Sequence, residues 1–398
     1  MRLTITTPAK FPAAFAAARE HARRRELARI ASPVPATRTR RFGVPRRRTV
    51  ALAPLGAWDW LAQRALPRPL QAPHQHAFSV AFDVAASRAL GHCDAVNAWC
   101  STALHTIRAA HRRGLPAVLE VASVHIETQA HILGAQFARY GAAADRGVIS
   151  PRVVARTLRE YAEADAVIAI SQLTKRTLVE RGVPAEKVAV IPYGVDASAY
   201  ARAPIARARD SRTPRILFVG GVSLRKGIPY LLDAFRMLDR PAELRLVGRR
   251  NDALVGRLGG LPPHVTSAGP KTGATLAAEY AAADIFVLPS VEDGWGLVTN
   301  EAMAAGLPVV VSDAAGSSEL VREGETGFVV PACDAAALAR ALDTLLADAA
   351  LRHRMGERAR ELASARTWSD YVDDRNRLVF GPLLRGAPIG EASYARAA

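Results

Sequence analysis

The chain has 398 residues, 49% of them apolar, only three cysteines and a formal net charge of +16. That length and apolar content exclude disorder throughout and suffice for two or three domains with sizeable cores. Cys93, Cys100 and Cys333 are too few for a disulfide framework and lack metal-ligand spacing, which excludes a structural zinc and points to a reduced, cytoplasmic setting.

No run of about 18 apolar residues is present to cross a membrane. The opening stretch MRLTITTPAKFPAAFAAAREHARRR lacks the apolar centre of a secretory signal. Charge is unevenly spread: residues 1–200 carry 28 Lys+Arg against 14 Asp+Glu, and residues 201–398 carry 25 against 23. The first 48 residues alone hold 13 basic and 2 acidic residues. Such a face suits anionic lipid, an anionic glycan or nucleic acid; it is equally the solvated surface of a chain loaded with arginine.

In chain order, LTITT is followed by PAAFAAAREHARRRELARI, AVLEVASV by the helix around TQAHILGAQFARYG, AVIAIS by QLTKRTLVERG, and then comes KVAVIP. Residues 35–75, rich in Pro and Arg, fit no element. After the polar stretch ARAPIARARDSRTPR (201–215) the alternation resumes with RILFVG, LRLVG, DIFVLPS and PVVVSD, each followed by a helical segment. Strands alternating with helices of this length predict parallel sheets joined by right-handed crossovers. The expected fold class is α/β, with two Rossmann-like doubly wound domains at 1–200 and 201–367. A C-terminal helical segment and tail, 368–398, opens with TWSDYVDDRNRLVFGPLL and is expected to pack back on the first domain.

Two motifs lie at strand ends in the second half, where ligands bind in open parallel sheets. FVGGVSLRKG (218–227) is a strand, a glycine turn and Lys226-Gly227 before an amphipathic helix. Exposed N–H groups and a compact cation there suit a phosphate or diphosphate, although a solvated turn has the same pattern. The chain has 48 Arg and only five Lys, yet a Lys stands here beside Arg225. The second motif is EDGWGLVTNEAMAAG (292–306). Leu297 to Ala305 reads as a helix stopped by Gly306. The N–H groups of Trp295, Gly296 and Leu297, after Gly294, then face an anion. Glu292, Asp293 and Glu301 are carboxylates suited to sugar or ribose hydroxyls; taken singly, Asp293 is also a helix cap and Glu301 a solvated face.

The set FVGG…RKG, LVG and PSVEDGWGLVTNEAMAAGLPVVVSDAAGSSELVREGETGFVV, preceded by ADAVIAISQLTKRTLVERGVPAEKVAVIPYGVD, resembles the group-1 (family 4) retaining glycosyltransferases of the GT-B fold, from about residue 165 to 370. The resemblance implies that Lys226 neutralises a donor diphosphate, that Glu301 holds the nucleotide ribose, and that Asp293 takes the place of the family's first motif Glu at the donor sugar. Asp is one methylene shorter, so either Asp293 or the adjacent Glu292 reaches the sugar. Gly221 stands where many relatives have an Arg, for which Arg225 or Arg249 compensates. Gly269-Pro270-Lys271 falls at the nucleobase. In the first half, PAVLEVASVHIETQ places Glu120, Ser123 and His125 at a strand end; His125 matches a His that faces the reacting sugar in relatives. The family's early glycine-rich loop is replaced by Ala9-Lys10-Phe11-Pro12.

The expected function is therefore transfer of a sugar from a nucleoside-diphosphate sugar to an acceptor hydroxyl with retention, in glycan, polysaccharide or glycolipid biosynthesis. Lys226, Asp293 and His125 act at the reaction centre, with no cofactor beyond the co-substrate and no metal. The acceptor is expected to be a glycan or lipid-linked. FPAAFAAAREHARRRELARI, with Phe11 and Phe15 among arginines, would contact anionic membrane on its inner face. The alternatives are a same-fold epimerase or phosphorylase, a hydrolase using Asp293 and Glu301 as acid and base, and a basic nucleic-acid-binding protein. No nucleic acid is expected, because the arginines lack interleaved aromatics and a groove-reading motif.

Overall fold

A computed structural model describes residues 1–9, 11–141, 149–201 and 213–392. The chain folds into two compact units, one built from Met1–Tyr193 together with the stretch from Trp368, the other from Gly194–Thr367. The change of unit at Tyr193–Gly194 comes earlier than the 200/201 boundary expected from the polar stretch, most of which lies outside the described residues.

In the first unit, β1 (Leu3–Thr6), β2 (Leu27–Ser32), β3 (Thr49–Ala51), β4 (Ala95–Trp99), β5 (Ala117–Val121), β6 (Ala166–Ala169) and β7 (Val188–Val190) form a sheet of order β3-β2-β1-β4-β5-β6-β7. In the second, β8 (Arg215–Val219), β9 (Glu243–Val247), β10 (Val265–Ser267), β11 (Ile285–Leu288), β12 (Val309–Ser312) and β13 (Gly327–Val330) are ordered β10-β9-β8-β11-β12-β13. Every pairing of these strands is parallel. Each unit is a doubly wound, Rossmann-like sheet, as expected from the GT-B resemblance. Central strands such as AVIA, IFVL and VVVS are buried along their whole length, as expected where helices cover both faces. Ser150, Ser171 and Asp334 cap the helices that follow them, each side chain accepting a backbone N–H of the first turn.

Three stretches differ from the sequence expectation. LARIAS is not the end of the first helix: that helix stops at Arg23, Arg25 turns the chain with φ +63°, and LARIAS becomes β2. Residues 35–75 are ordered, providing short helical turns, β3, a helix at Ala53–Ala65 and the start of a longer one at Arg68–Ser87. Phe15 is buried and packs on Phe42 at 4.8 Å, so the first helix turns this ring inward, whereas Phe11 is 39% exposed; the expectation that both face a membrane fails for Phe15.

The stretch from Trp368 packs on the first unit through a buried polar network. Glu120, fully buried on β5, accepts hydroxyl hydrogens from Tyr371 at 2.7 Å and Tyr193 at 3.1 Å. Arg375, also fully buried, donates to the Asn97 side chain of β4 and lies 3.7 Å from the second Glu120 oxygen. Trp368, Tyr371 and Tyr193 pack edge to face or tilted around them.

Candidate functional site

The strand order of the second unit reverses between β8 and β11, and the crevice beyond their carboxyl ends is where a ligand has access to a doubly wound sheet. β8 runs into the turn 220–227 and β11 into the turn 289–296. Gly227 has φ +70°, and a Cβ there would lie 1.7 Å from the Pro289 carbonyl oxygen. Only glycine lets the two turns touch. Their contact sets two cations against two acids: Arg225 Nε is 2.7 Å from Glu292 and its Nη2 3.9 Å from Asp293, while Lys226 Nζ pairs directly with Asp293. Lys226 keeps 19% of its side chain exposed, whereas the Glu292 side chain keeps none. Arg225 keeps 35%, so both cations reach the surface of the crevice, and Glu292, expected to share the sugar contact with Asp293, serves as the buried anchor of Arg225.

Gly296 has φ +84° and caps the helix Leu297–Ala304; a Cβ there would press on Leu288 and come within 3.3 Å of Asp293. This turn is locked from the other side, because Gly316 donates its N–H to the Asp293 carbonyl and Ser317 to that of Trp295. The Trp295 ring points inward, its Nε1–H donating to Asn300 at 2.7 Å, so what this residue offers a ligand is backbone. A turn further, Glu301 is half-buried and accepts from the Tyr280 hydroxyl at 2.8 Å; Tyr200 hydrogen-bonds the same carboxylate. Burial raises the Glu301 carboxyl above its ordinary range, and the two tyrosines oppose that shift.

Gly221 is exposed and open: a Cβ at this position meets nothing within 4 Å. Arg249 is exposed just after β9, and Lys271 is half-buried in the loop after β10, tied to the site by the Gly248 N–H donating to the Gly269 carbonyl at 3.0 Å. Gly294 is buried in the turn itself. The structure therefore brings Arg225, Lys226, Glu292 and Asp293 together and holds Glu301 on the helix that starts beside them.

In the first unit His125 follows β5 and caps the helix Ile126–Arg139. It is 1% exposed; its Nδ1 accepts the Glu127 N–H at 3.3 Å, and its ring lies 5.0 Å from that of Tyr161. Burial holds its pKa below the ordinary value, with Arg181 acting in the same direction. A neutral ring with Nδ1 accepting carries its proton on Nε2, which has no partner among the described residues. His125 is therefore an N–H donor. Ser123 is engaged by Gln129, and Glu120 belongs to the buried network that holds Tyr371 and Arg375.

Sequence reasoning missed Tyr200, Tyr280 and a pair of buried carboxylates, Asp83 and Glu160, that pin the loop after β4. Asp83 accepts the N–H groups of His105 and Thr106, Glu160 those of Ser101, Ala103 and Leu104, and Arg156 pairs with both acids. No spacing signals the backbone contacts, because the N–H groups that the two acids hold are 22 to 59 residues away.

Comparison with known proteins bears on the family and the fold. Residues 213–348 match the family described as glycosyl transferases group 1, and residues 18–199 match glycosyltransferase family 4. A phosphatidyl-myo-inositol mannosyltransferase of Mycobacterium leprae is 35% identical over 232 residues, 57% of this chain and 62% of the relative. A D-inositol 3-phosphate glycosyltransferase of Salinispora arenicola is 30% identical over 325 residues, 72% of this chain and 68% of the relative. The match spans less than two thirds of the length of several such relatives, 54% for the one from Nocardia farcinica. Among solved structures, HepE of Anabaena with UDP and glucose has a TM-score of 0.68 at 21% identity, covering 95% of this chain and 98% of its own. A sucrose-phosphate synthase of Thermosynechococcus elongatus has 0.70 at 22%, covering 97% and 100%. With both halves matched in order and the glycine turn, cation pair and acidic turn at the switch point of the second sheet, the chain belongs to the group-1, family 4 glycosyltransferases.

Proposed function

We propose that the protein transfers a sugar from a nucleoside-diphosphate sugar to an acceptor hydroxyl with retention at the anomeric carbon. The observation that carries this reading is the alternating quartet Arg225–Glu292 and Lys226–Asp293 at the switch point, beside the start of the Leu297–Ala304 helix. A diphosphate takes Lys226 from Asp293, which releases the Asp293 carboxylate to accept sugar hydroxyls. The helix N-terminus, with its dipole, stabilises charge on the departing diphosphate, so the chemical step needs no divalent metal. The bond from the anomeric carbon to the diphosphate oxygen breaks, the bond to the acceptor oxygen forms on the same face, and the acceptor proton passes to a diphosphate oxygen. Glu301 holds the ribose, Gly269 to Lys271 border the base, and His125 donates its Nε2–H to the sugar. Lys226→Ala and Glu301→Ala test the assignment: activity within a few-fold of wild type in both would sink it. Loss of activity in EDTA would overturn metal independence.

The acceptor is a glycan or lipid-linked glycan in polysaccharide or glycolipid synthesis, reached at an anionic membrane surface on the cytoplasmic side. Among the described residues no helix is long and apolar enough to cross a membrane. Support for surface contact comes from the helices Ala53–Ala65 and Arg68–Ser87, where Trp58, Trp60, Leu61 and Leu70 are 40 to 59% exposed. Residues 27–58 contain seven arginines and no acid. Exposed Trp and Leu near arginines suit the headgroup layer of an anionic bilayer. Sedimentation with vesicles containing phosphatidylglycerol should carry the protein down at low salt, and Trp60→Ser with Leu61→Ser should release it. Equal sedimentation with neutral vesicles, or none at all, removes the membrane from this reading.

A further inference from the structure

Glu301 is not an isolated acid. Tyr280, fully buried on the helix Ala274–Ala281, has its hydroxyl 2.8 Å from Glu301 and 3.3 Å from the Val298 carbonyl. A hydroxyl has one proton, and the charged acceptor makes the stronger bond, so that proton goes to Glu301. Tyr200 comes from the short helix Ser198–Ala201, whose neighbours Asp196, Ser198 and Ala199 are exposed while its own side chain turns inward. Its ring stands edge-on to Tyr280, 5.5 Å between centroids and 89° between planes, and its hydroxyl meets Glu301. Two phenols from two separate segments therefore converge on one half-buried carboxylate.

A carboxylate offers about four lone-pair sites. Two phenols fill two of them and leave two, the number that a pair of vicinal hydroxyls requires. We propose that Tyr200 and Tyr280 are positioning residues of the nucleotide site: they lock the Glu301 side chain so that its remaining acceptor positions receive the two hydroxyls of a ribose. The proposal rests on Glu301 holding the ribose and adds two residues that no motif marks. Tyr200 is the more informative of the two, because it lies on the segment by which the chain enters the second unit. Its contact with Glu301 makes the entry segment part of the donor site rather than a spacer.

The test is calorimetric titration of UDP, GDP and ADP, and of their 2′,3′-dideoxy forms, into wild type, Tyr200→Phe and Tyr280→Phe. Phenylalanine keeps the ring and removes only the hydroxyl, and a melting curve of each variant confirms that it folds. Tyr200→Phe should weaken the preferred ribonucleotide about ten-fold, the worth of one bond to a charged group, and leave the dideoxy form unchanged. An equal loss for both forms would overturn the proposal, since Tyr200 would then act on the base or the fold. No loss, or tighter ribonucleotide binding, would overturn it as well, the latter meaning that Tyr200 occupies the ribose position. If wild type itself binds ribo and dideoxy forms alike, Glu301 is not the ribose grip, and the proposal falls with that assignment. If no nucleotide binds wild type, the donor reading itself fails.

Discussion

Arg225 and Lys226 are neighbours with opposite expected phenotypes, and separating them tests the site most directly. Arg225 is tied by a 2.7 Å bond to Glu292, whose side chain has no exposed surface. Replacing Arg225 by Ala removes that cation from a buried carboxylate; because the Arg225 side chain is itself 35% exposed and screened by solvent, the cost should be about 1–2 kcal/mol, below that of a fully buried ion pair. At roughly 2–4 °C per kcal/mol for a unit of this size, the melting temperature should fall by about 2–8 °C. Lys226 is different: its partner Asp293 keeps a second cation, Arg225, at 3.9 Å. Lys226→Ala should therefore change the melting temperature by only a few degrees. Its effect belongs on the departing diphosphate, where losing one preorganised charge contact lowers turnover by about 100- to 1000-fold, or roughly 2.7–4 kcal/mol of transition-state stabilisation. Nucleotide release from the sugar donor, followed beside a thermal melt, reads both quantities in one preparation. A Lys226→Ala variant that turns over within three-fold of wild type would refute the electrostatic argument. So would a reversed pattern, with Lys226 governing stability and Arg225 only rate.

Because His125 acts as a neutral N–H donor, His125→Asn should retain far more activity than His125→Phe in donor turnover assays. Its depressed pKa should also keep the rate from declining as pH falls to 6.5. Burial pushes Glu160 up to about 7 from its ordinary 4.5, so the folded state binds more protons than the unfolded one between these values. The Glu160 contribution to stability is full below pH 4.5 and is lost as pH rises to about 7; Glu160→Gln should flatten that slope in melts taken from pH 4.5 to 8. Gly227→Ala forces a Cβ against the Pro289 carbonyl at a positive φ. It should cost roughly 2–3 kcal/mol and lower donor affinity with it, measured by denaturant unfolding and titration.

The parts of this molecule that were legible in the sequence are those set by short-range pattern. IFVL and VVV announce buried parallel strands because every residue is apolar, and the glycines at 220, 227 and 296, each at a positive φ, mark turns that no other residue type would form as easily. β2 was hidden because Arg29 interrupts LARIAS with an exposed charge and the strand follows a helix of similar composition. Residues 35–75 resisted reading because proline suggests a break, whereas Pro54 and Pro69 lie in the first turns of helices, where no N–H partner is lost. Glu301 could be named from its place in a motif. Its tyrosines could not, since Tyr200 and Tyr280 meet it only after two distant segments fold onto one helix. Likewise the acidic pair at 292 and 293 looked interchangeable in sequence, and only the cation each one meets, Arg225 for Glu292 and Lys226 for Asp293, separated them.

The Glu120–Tyr371–Arg375 network has a consequence for how the protein is made. Glu120 and Tyr371 are separated by 251 positions. A ribosome synthesises the whole second unit between them, so the first unit emerges long before the residues that satisfy its buried carboxylate. Until then β5 carries an acid with nothing from the C-terminal stretch to neutralise it, and the face later covered by Trp368, Tyr371 and Phe380 stays open. The second unit, continuous in sequence, can close on its own schedule, while the first waits for the chain to be released. A chain truncated after Thr367 and released should therefore be protease-sensitive in its N-terminal half and resistant in its C-terminal half, the reverse of the order in which the two leave the tunnel.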